Sequence, residues 1–305
     1  MATEVRVGGL RDRLLADGVL LAQSTPGLYV RSAAFEAIVA ALSAAVQRAA
    51  VDQAPTVLRF PPVMAREDFA RTGYLRSFPD LLGSVHTFRG DDRAHAELLR
   101  RQETGAAEWT ELLEPAPVVL CSAACHPLYP LLAGSATPAE GLRFDVAGWC
   151  FRAEPSPDPA RMQSFRMHEI VFVGPPEDAL VHRDGWLERG EALLRALGLP
   201  VERVVANDPF FGRAGRILAS SQRAEELKYE LVVEVSNAEQ PTAILSANCH
   251  REHFGEEFGI AVPDGGVAHS ACVGFGLERV TLALLRFHGT DPAAWPVAVR
   301  ERLWP

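Results

Sequence analysis

Apolar and polar positions alternate along this chain with two periods, and the periods mark out its elements. From Ser32, the residues Phe35, Ile38, Val39, Leu42, Val46 and Ala49 recur at helical spacing in an alanine-rich stretch, which predicts an amphipathic helix. Thr56-Val57-Leu58-Arg59-Phe60 then reads as a strand ended by Pro61 and Pro62. Residues 94–113 are polar and helix-forming with little apolar face, so they predict one or two surface helices. Beyond Pro115 and Pro117, residues 118–121 predict a buried strand that opens onto a tight loop of small residues and prolines, 122–130. Residues 184–199 predict a second amphipathic helix through Trp186, Leu187, Leu193, Leu194 and Leu197. Strands are expected over 201–206 and 229–235, with a helix over 217–226 between them. Residues 1 to about 30 show no clear pattern beyond a short helix and strand.

The stretch 151–174, FRAEPSPDPARMQSFRMHEIVFVG, predicts two strands joined by a charged hairpin loop. Arg152 and Glu154 alternate with Phe151 and Ala153, so both charged side chains are expected on one face of the first strand. Arg161 and Arg166 lie in or just after the loop. Guanidinium groups offer paired donors to phosphate oxygens, and a neighbouring carboxylate can orient them or accept from an amine. From these residues alone, an anion site and a solvated hairpin with an exposed ion pair both remain open.

Composition narrows the field. At 305 residues the chain can hold one large α/β or α+β domain, or two modest ones, with a substantial core. A formal charge of -9 argues against a dedicated nucleic-acid surface, which needs clustered Lys and Arg. No apolar run reaches the roughly 18 residues of a membrane span, and charge interrupts the N-terminus too often for a signal peptide. A cytoplasmic enzyme is expected. Five scattered cysteines do not form a disulfide framework, so they are buried thiols, metal ligands or nucleophiles. Cys125, Glu169 and Cys272 form one candidate metal set, and Cys249, His250 and His253 a rival one.

Two motifs in order carry a family resemblance. Phe151-Arg152-Ala153-Glu154 with its loop and returning strand resembles the second signature motif of class II aminoacyl-tRNA synthetases. Residues 274–285, GFGLERVTLALL, are similar to the third, a Gly-rich strand end followed by Glu-Arg and an apolar helix. The helix from Ser32 with its strand and prolines resembles the first, which forms the dimer interface in that class. The archaeal-type seryl-tRNA synthetases bind zinc through a Cys, a Glu of motif two and a Cys before motif three, and Cys125, Glu169 and Cys272 stand at the matching places. The amino acid:carrier protein ligases share that core without the tRNA-binding arm. This chain looks most like those ligases, over about residues 56–289, because its pre-motif region is short, the chain is acidic overall and no basic coiled-coil arm is present.

The resemblance implies an α+β fold with a class II synthetase-like antiparallel sheet flanked by helices. It divides the chain into an N-terminal extension and helix packed on the core (1–52) and the catalytic domain (53–305), in a homodimer. It implies ATP, magnesium and zinc as cofactors. Arg152 would take the α-phosphate, Arg279 the γ-phosphate and adenine side, and Glu154 the adenine amine, with Arg161 and Lys228 as further ATP contacts. Glu230 or Glu234 would serve magnesium, and Glu169 and Ser246 the amino acid. Asn248-Cys249 fits the substrate-pocket strand, but the acidic residue a few positions earlier is missing, so the resemblance does not extend to serine specificity. Glycine or alanine is the implied substrate, and an acyl carrier protein with its phosphopantetheine arm the acceptor, received on Arg213, Arg216 and Arg223. Two alternatives stay open: an aminoacyl-tRNA synthetase and a catalytically silent amino-acid-binding paralogue.

Overall fold

The computed structural model describes residues 8–105, 107–206, 226–236 and 239–305. Arg213, Arg216 and Arg223, and all but the last residue of the helix expected over 217–226, lie outside the described residues. A first helix, α1 (Gly8–Ala16), leads into a hairpin of β1 (Leu20–Ala22) and β2 (Tyr29–Arg31). Ser32 then caps α2 (Ala33–Ala50), its Oγ accepting from the Phe35 N–H at 3.3 Å. A small antiparallel sheet follows, in which β6 (Leu113–Leu120) lies between β4 (Val63–Ala65) and β5 (Ser84–Phe88). Short helices α3 (Arg66–Arg71) and α4 (Tyr74–Ser77), the polar α5 (Asp92–Glu103) and α6 (Leu128–Leu131) fill the connections.

The main sheet has seven strands in the order β3 (Thr56–Leu58), β7 (Leu142–Phe151), β8 (Ser164–Gly174), β12 (His269–Gly276), β11 (Thr242–Arg251), β10 (Lys228–Val233) and β9 (Glu202–Val205). Every pair is antiparallel except β3 with β7, so the sheet is mixed only at that edge. One face is covered by α2, α7 (Pro176–Ala196) and α9 (Leu277–His288), with the short α10 (Val297–Leu303) packed on α2. Its core joins Phe35, Ile38 and Leu42 to Trp186, Leu231, Phe275 and Leu282. On the other face, α8 (His253–Phe258) and α6 build a second core from Tyr129, Val171, Phe254 and Phe258, where the Tyr129 and Phe254 rings stack 3.8 Å apart.

Several elements differ from the sequence reading. β6 begins before Pro115 and Pro117, which sit within the strand, and α7 starts eight residues before position 184. β3 is only three residues long and leaves Val57 56% exposed. Ala33–Gln53 is long and apolar enough to cross a membrane, with a mean hydropathy of 1.4, contrary to the expectation that no run is. Its apolar stripe is taken up instead by the core beneath it. Arg152 and Glu154 do not share a strand face, because β7 ends at Phe151. From there the chain leaves β8, and the Ala153 N–H donates to Leu81 O at 3.1 Å.

Arg166 is not free for a ligand. Its Nε donates to Glu278 at 2.8 Å, its backbone N–H to the same carboxylate at 2.6 Å, and its two terminal nitrogens to Glu36 at 2.6 and 2.9 Å. Glu278 is buried, so this knot of α2, β8 and α9 holds a carboxylate that no water can solvate. Replacing Arg166 by Ala strands that charge. Arg166→Ala is expected to lower the unfolding free energy by about 3–5 kcal/mol, read as a lower urea midpoint at unchanged slope.

Candidate active site

Strand register decides which side chains meet, because successive residues point to opposite faces. β8 sets Glu169 opposite Gly274 and Val171 opposite Cys272. β11 sets Ser246 beside Gly274 and Asn248 beside Cys272, and β10 sets Glu230 beside Ser246 and Lys228 beside Asn248. Residues from four strands thus share the face turned away from α2, and they line a cavity of about 1450 Å³. Loops complete its wall with Cys125 after β6, Arg152 and Glu154 after β7, Arg161 in the turn Pro159–Arg161, and Arg279 in the first turn of α9. Cys125, Arg152, Glu154, Arg161, Glu169, Lys228, Ser246, Cys272 and Arg279, nine of the residues singled out from the sequence, lie on this one cavity, whereas Arg166 and Glu234 do not.

At one end, the Cys125 Sγ, a Glu169 oxygen and the Cys272 Sγ lie within 4.8 Å of one another, all three residues buried. Gly274 makes this possible: a Cβ there would come within 3.2 Å of Glu169 Cγ and 3.1 Å of Met167 Cε. Glu169 Oε1 accepts from the Ala124 N–H at 2.9 Å, while Oε2 is buried with no hydrogen-bond partner. Burial first, and then the Cys272 sulfur, push the Glu169 carboxyl up to about 7. The neighbouring sulfur is the largest influence on each thiol, raising Cys125 and lowering Cys272. An orphaned carboxylate oxygen beside a thiolate in a dry site is costly unless a cation joins it. Two sulfurs and one carboxylate with a side open to the cavity form a donor set that suits zinc with one free position. The rival set does not assemble among the described residues. His250 bonds Ser270 Oγ at 3.0 Å and lies 3.6 Å from Cys272 Sγ, whereas His253 bonds Thr72 O at 2.9 Å.

The other end is cationic. Arg279 donates from Nε to Ala160 O at 2.9 Å and from Nη1 to Ala243 O at 3.1 Å. Burial, then the nearby Arg152 and Arg161, pull its pKa down to about 10, so it stays charged at neutral pH while crowded by like charge. Such crowding is relieved by an anion. Arg152 donates to Ser122 O at 3.4 Å with its guanidinium 5.5 Å from the Phe165 ring, and Arg161 stands 3.7 Å from Glu154. Lys228 Nζ lies 3.2 Å from Glu230. Glu234 is outside this cavity, bonded to Arg286 at 2.9 Å, which leaves Glu230 as the acidic residue of that strand facing it.

Sequence reasoning passed over the aromatic wall beside the cysteines. His126 is buried among Phe69, Tyr74 and Phe254 with ring centroids 5.6–6.4 Å away, and its pKa is pushed down to about 3, by burial first. Its place directly after Cys125 was the one available signal.

Comparison with known proteins agrees with this arrangement. No family model matches the chain. The chain is 46% identical over 292 residues to amino acid–acyl-carrier-protein ligase 1 of Bradyrhizobium diazoefficiens, covering 95% of this chain and 88% of that protein. It belongs to the amino acid–acyl-carrier-protein ligase family. A type-2 serine–tRNA ligase of Methanopyrus kandleri is 30% identical over 266 residues, and there the match covers 80% of this chain but half of the relative. In structure, the family member superposes with a TM-score of 0.81 on a chain of the M. kandleri SerRS complex with A. aeolicus tRNASec, at 24% identity. It spans 99% of its own length and 61% of that chain, which shows the class II seryl-tRNA synthetase fold.

The raised Glu169 carboxyl has a sign that can be tested in chelated protein. Its ordinary value is 4.5 and its folded value about 7, so it favours the fold below pH 4.5 and that contribution is lost as pH rises through 7. Relative to Glu169→Gln, metal-free wild type is expected to lose on the order of 3 kcal/mol of stability between pH 4.5 and 8, measured by urea unfolding at each pH.

Proposed function

We infer that this protein activates a small amino acid, glycine or alanine, with ATP and transfers it to the phosphopantetheine thiol of a carrier protein. The observation that carries the reading is the cavity's two-ended charge: three arginines at one end and a buried Cys-Glu-Cys set at the other. The name of the Bradyrhizobium relative supports the acceptor. An amino acid carboxylate attacking the α-phosphorus of ATP brings two anions together and expels pyrophosphate. Arg152, Arg161 and Arg279 would neutralise the phosphates and hold them in line, with Glu154 receiving the adenine amine. Bound at Cys125, Glu169 and Cys272, zinc would supply a Lewis-acidic contact for the neutral α-amino group. Ser246 and Asn248 flank that position on the cavity face. Glu230 is the side chain offered to magnesium. In the second step the thiol sulfur attacks the adenylate carbonyl, loses its proton and displaces AMP, leaving a thioester.

This reading places the enzyme in the cytoplasm as a homodimer formed through α2 and the edge strand β3, whose Val57 is exposed. A tRNA-charging reading is favoured by the likeness to the serine–tRNA ligase alone. Pyrophosphate exchange across the amino acids, followed by parallel offers of tRNA and phosphopantetheinylated carrier, separates the two. Thioester on carrier without charged tRNA is the expected result.

Arg279→Ala is expected to cut amino-acid-dependent pyrophosphate exchange by about 10²–10³, checked in folded variant by kinetic assay beside a thermal melt. Cys272→Ala should lose bound zinc by metal analysis together with amino acid affinity. Full zinc content in that variant would remove the assigned site.

A further inference from the structure

The N-terminal segment, which lacks a clear pattern, reaches the cationic end of the cavity. Tyr29 on β2 donates its hydroxyl to Pro157 O at 2.5 Å and accepts from Arg11 Nε of α1 at 3.1 Å. Gln163 donates its N–H to Gly27 O at 3.0 Å and its Nε2 to Pro26 O at 2.8 Å. The Gln163 carbonyl in turn accepts from the Arg152 N–H at 2.9 Å. Gly27 has φ of +81°, and an added Cβ would come within 3.0 Å of Gln163 Cγ and 3.3 Å of Arg161 O. The hairpin turn therefore lies directly on the backbone of the loop that carries both arginines.

The loop needs such support. It runs through Pro155, Pro157 and Pro159 with no ladder partner, and its own ion pair, Arg161 with Glu154, is 53% and 35% exposed at 3.7 Å. An exposed pair of that length holds a loop weakly. On its far side Ser236 Oγ donates to Asp158 at 2.7 Å, so the loop is gripped between β10's end and the hairpin. A segment ordered in advance spares the ligand the entropy of ordering it.

We propose that the β1–β2 hairpin, through Tyr29 and Gln163, is a positioning brace that presents Arg152 and Arg161 to the phosphates of the nucleotide. The inference rests on the reading that ATP binds at this end of the cavity. Tyr29 and Gln163 act through the loop backbone, so their removal lowers the fraction of molecules with the loop in its binding-competent form.

The test uses Tyr29→Phe, which keeps the ring and removes one hydroxyl, and Gln163→Ala as a second variant. ATP affinity is measured by calorimetry, the amino acid KM by pyrophosphate exchange at saturating ATP, and stability by thermal melt. Each variant is expected to weaken ATP binding about three- to tenfold, with the amino acid KM within twofold of wild type and the melting temperature nearly unchanged. Unchanged ATP affinity in both variants, or equal losses for ATP and amino acid with a lowered melt, overturns the brace while leaving the proposed function standing. A wild-type protein that binds no ATP overturns both.

Discussion

Glu169 stands opposite Gly274, a carboxylate side chain against a residue with none, and this pairing constrains the rest of the site. A slip of β8 by one residue against β12 would turn Glu169 toward the helices and bring Ile170 to the cavity face. The cost would be an apolar side chain exposed and a carboxylate driven into the core made with α7 and α9. The apolar alternation that builds the core therefore also builds the site.

The two ends of the cavity are unstable in opposite senses. Arg279 is half-buried beside two further guanidinium groups, and Glu169 is buried beside sulfur with one oxygen unsatisfied. An anion would relieve the first and a cation the second. Local burial of this kind costs stability, and it supports the proposed reading of the cavity as a binding site.

Supporting contacts lie one layer out. Arg166 is consumed by Glu278 and Glu36, so it fixes α9, and with it Arg279, relative to α2 and β8. Tyr29 and Gln163 do the corresponding work for the loop between β7 and β8. His168 adds a third tie, bonding Ser43 of α2 at 2.8 Å and Asp145 of β7 at 3.0 Å beneath the same strand. Residues outside the cavity thus hold those that line it.

Much of this was legible in the residues themselves. The period of Phe35, Ile38 and Leu42 marked α2, and the order of Arg152-x-Glu154, the returning strand and Glu278-Arg279 marked the family and, with it, nine residues that all reach the cavity. Those signals are local: each reflects the geometry of a single helix, strand or loop. What the sequence could not settle were pairings between distant segments. Arg166 looked like an anion ligand until Glu278, 112 positions away, claimed it, and Glu234 alternated suitably for magnesium until Arg286 took it. Arg152 and Glu154 followed an apolar run but lay past its end, because Ala153 bonds to Leu81 rather than continuing the ladder. The hairpin of residues 20–31 is only three residues a side, too short for periodicity to register, and its meaning comes from what it touches. Sequence determined which elements form and which chemistry they carry; tertiary structure decided which charges are spent on the fold and which are left for a ligand, since that depends on register and packing across the whole chain.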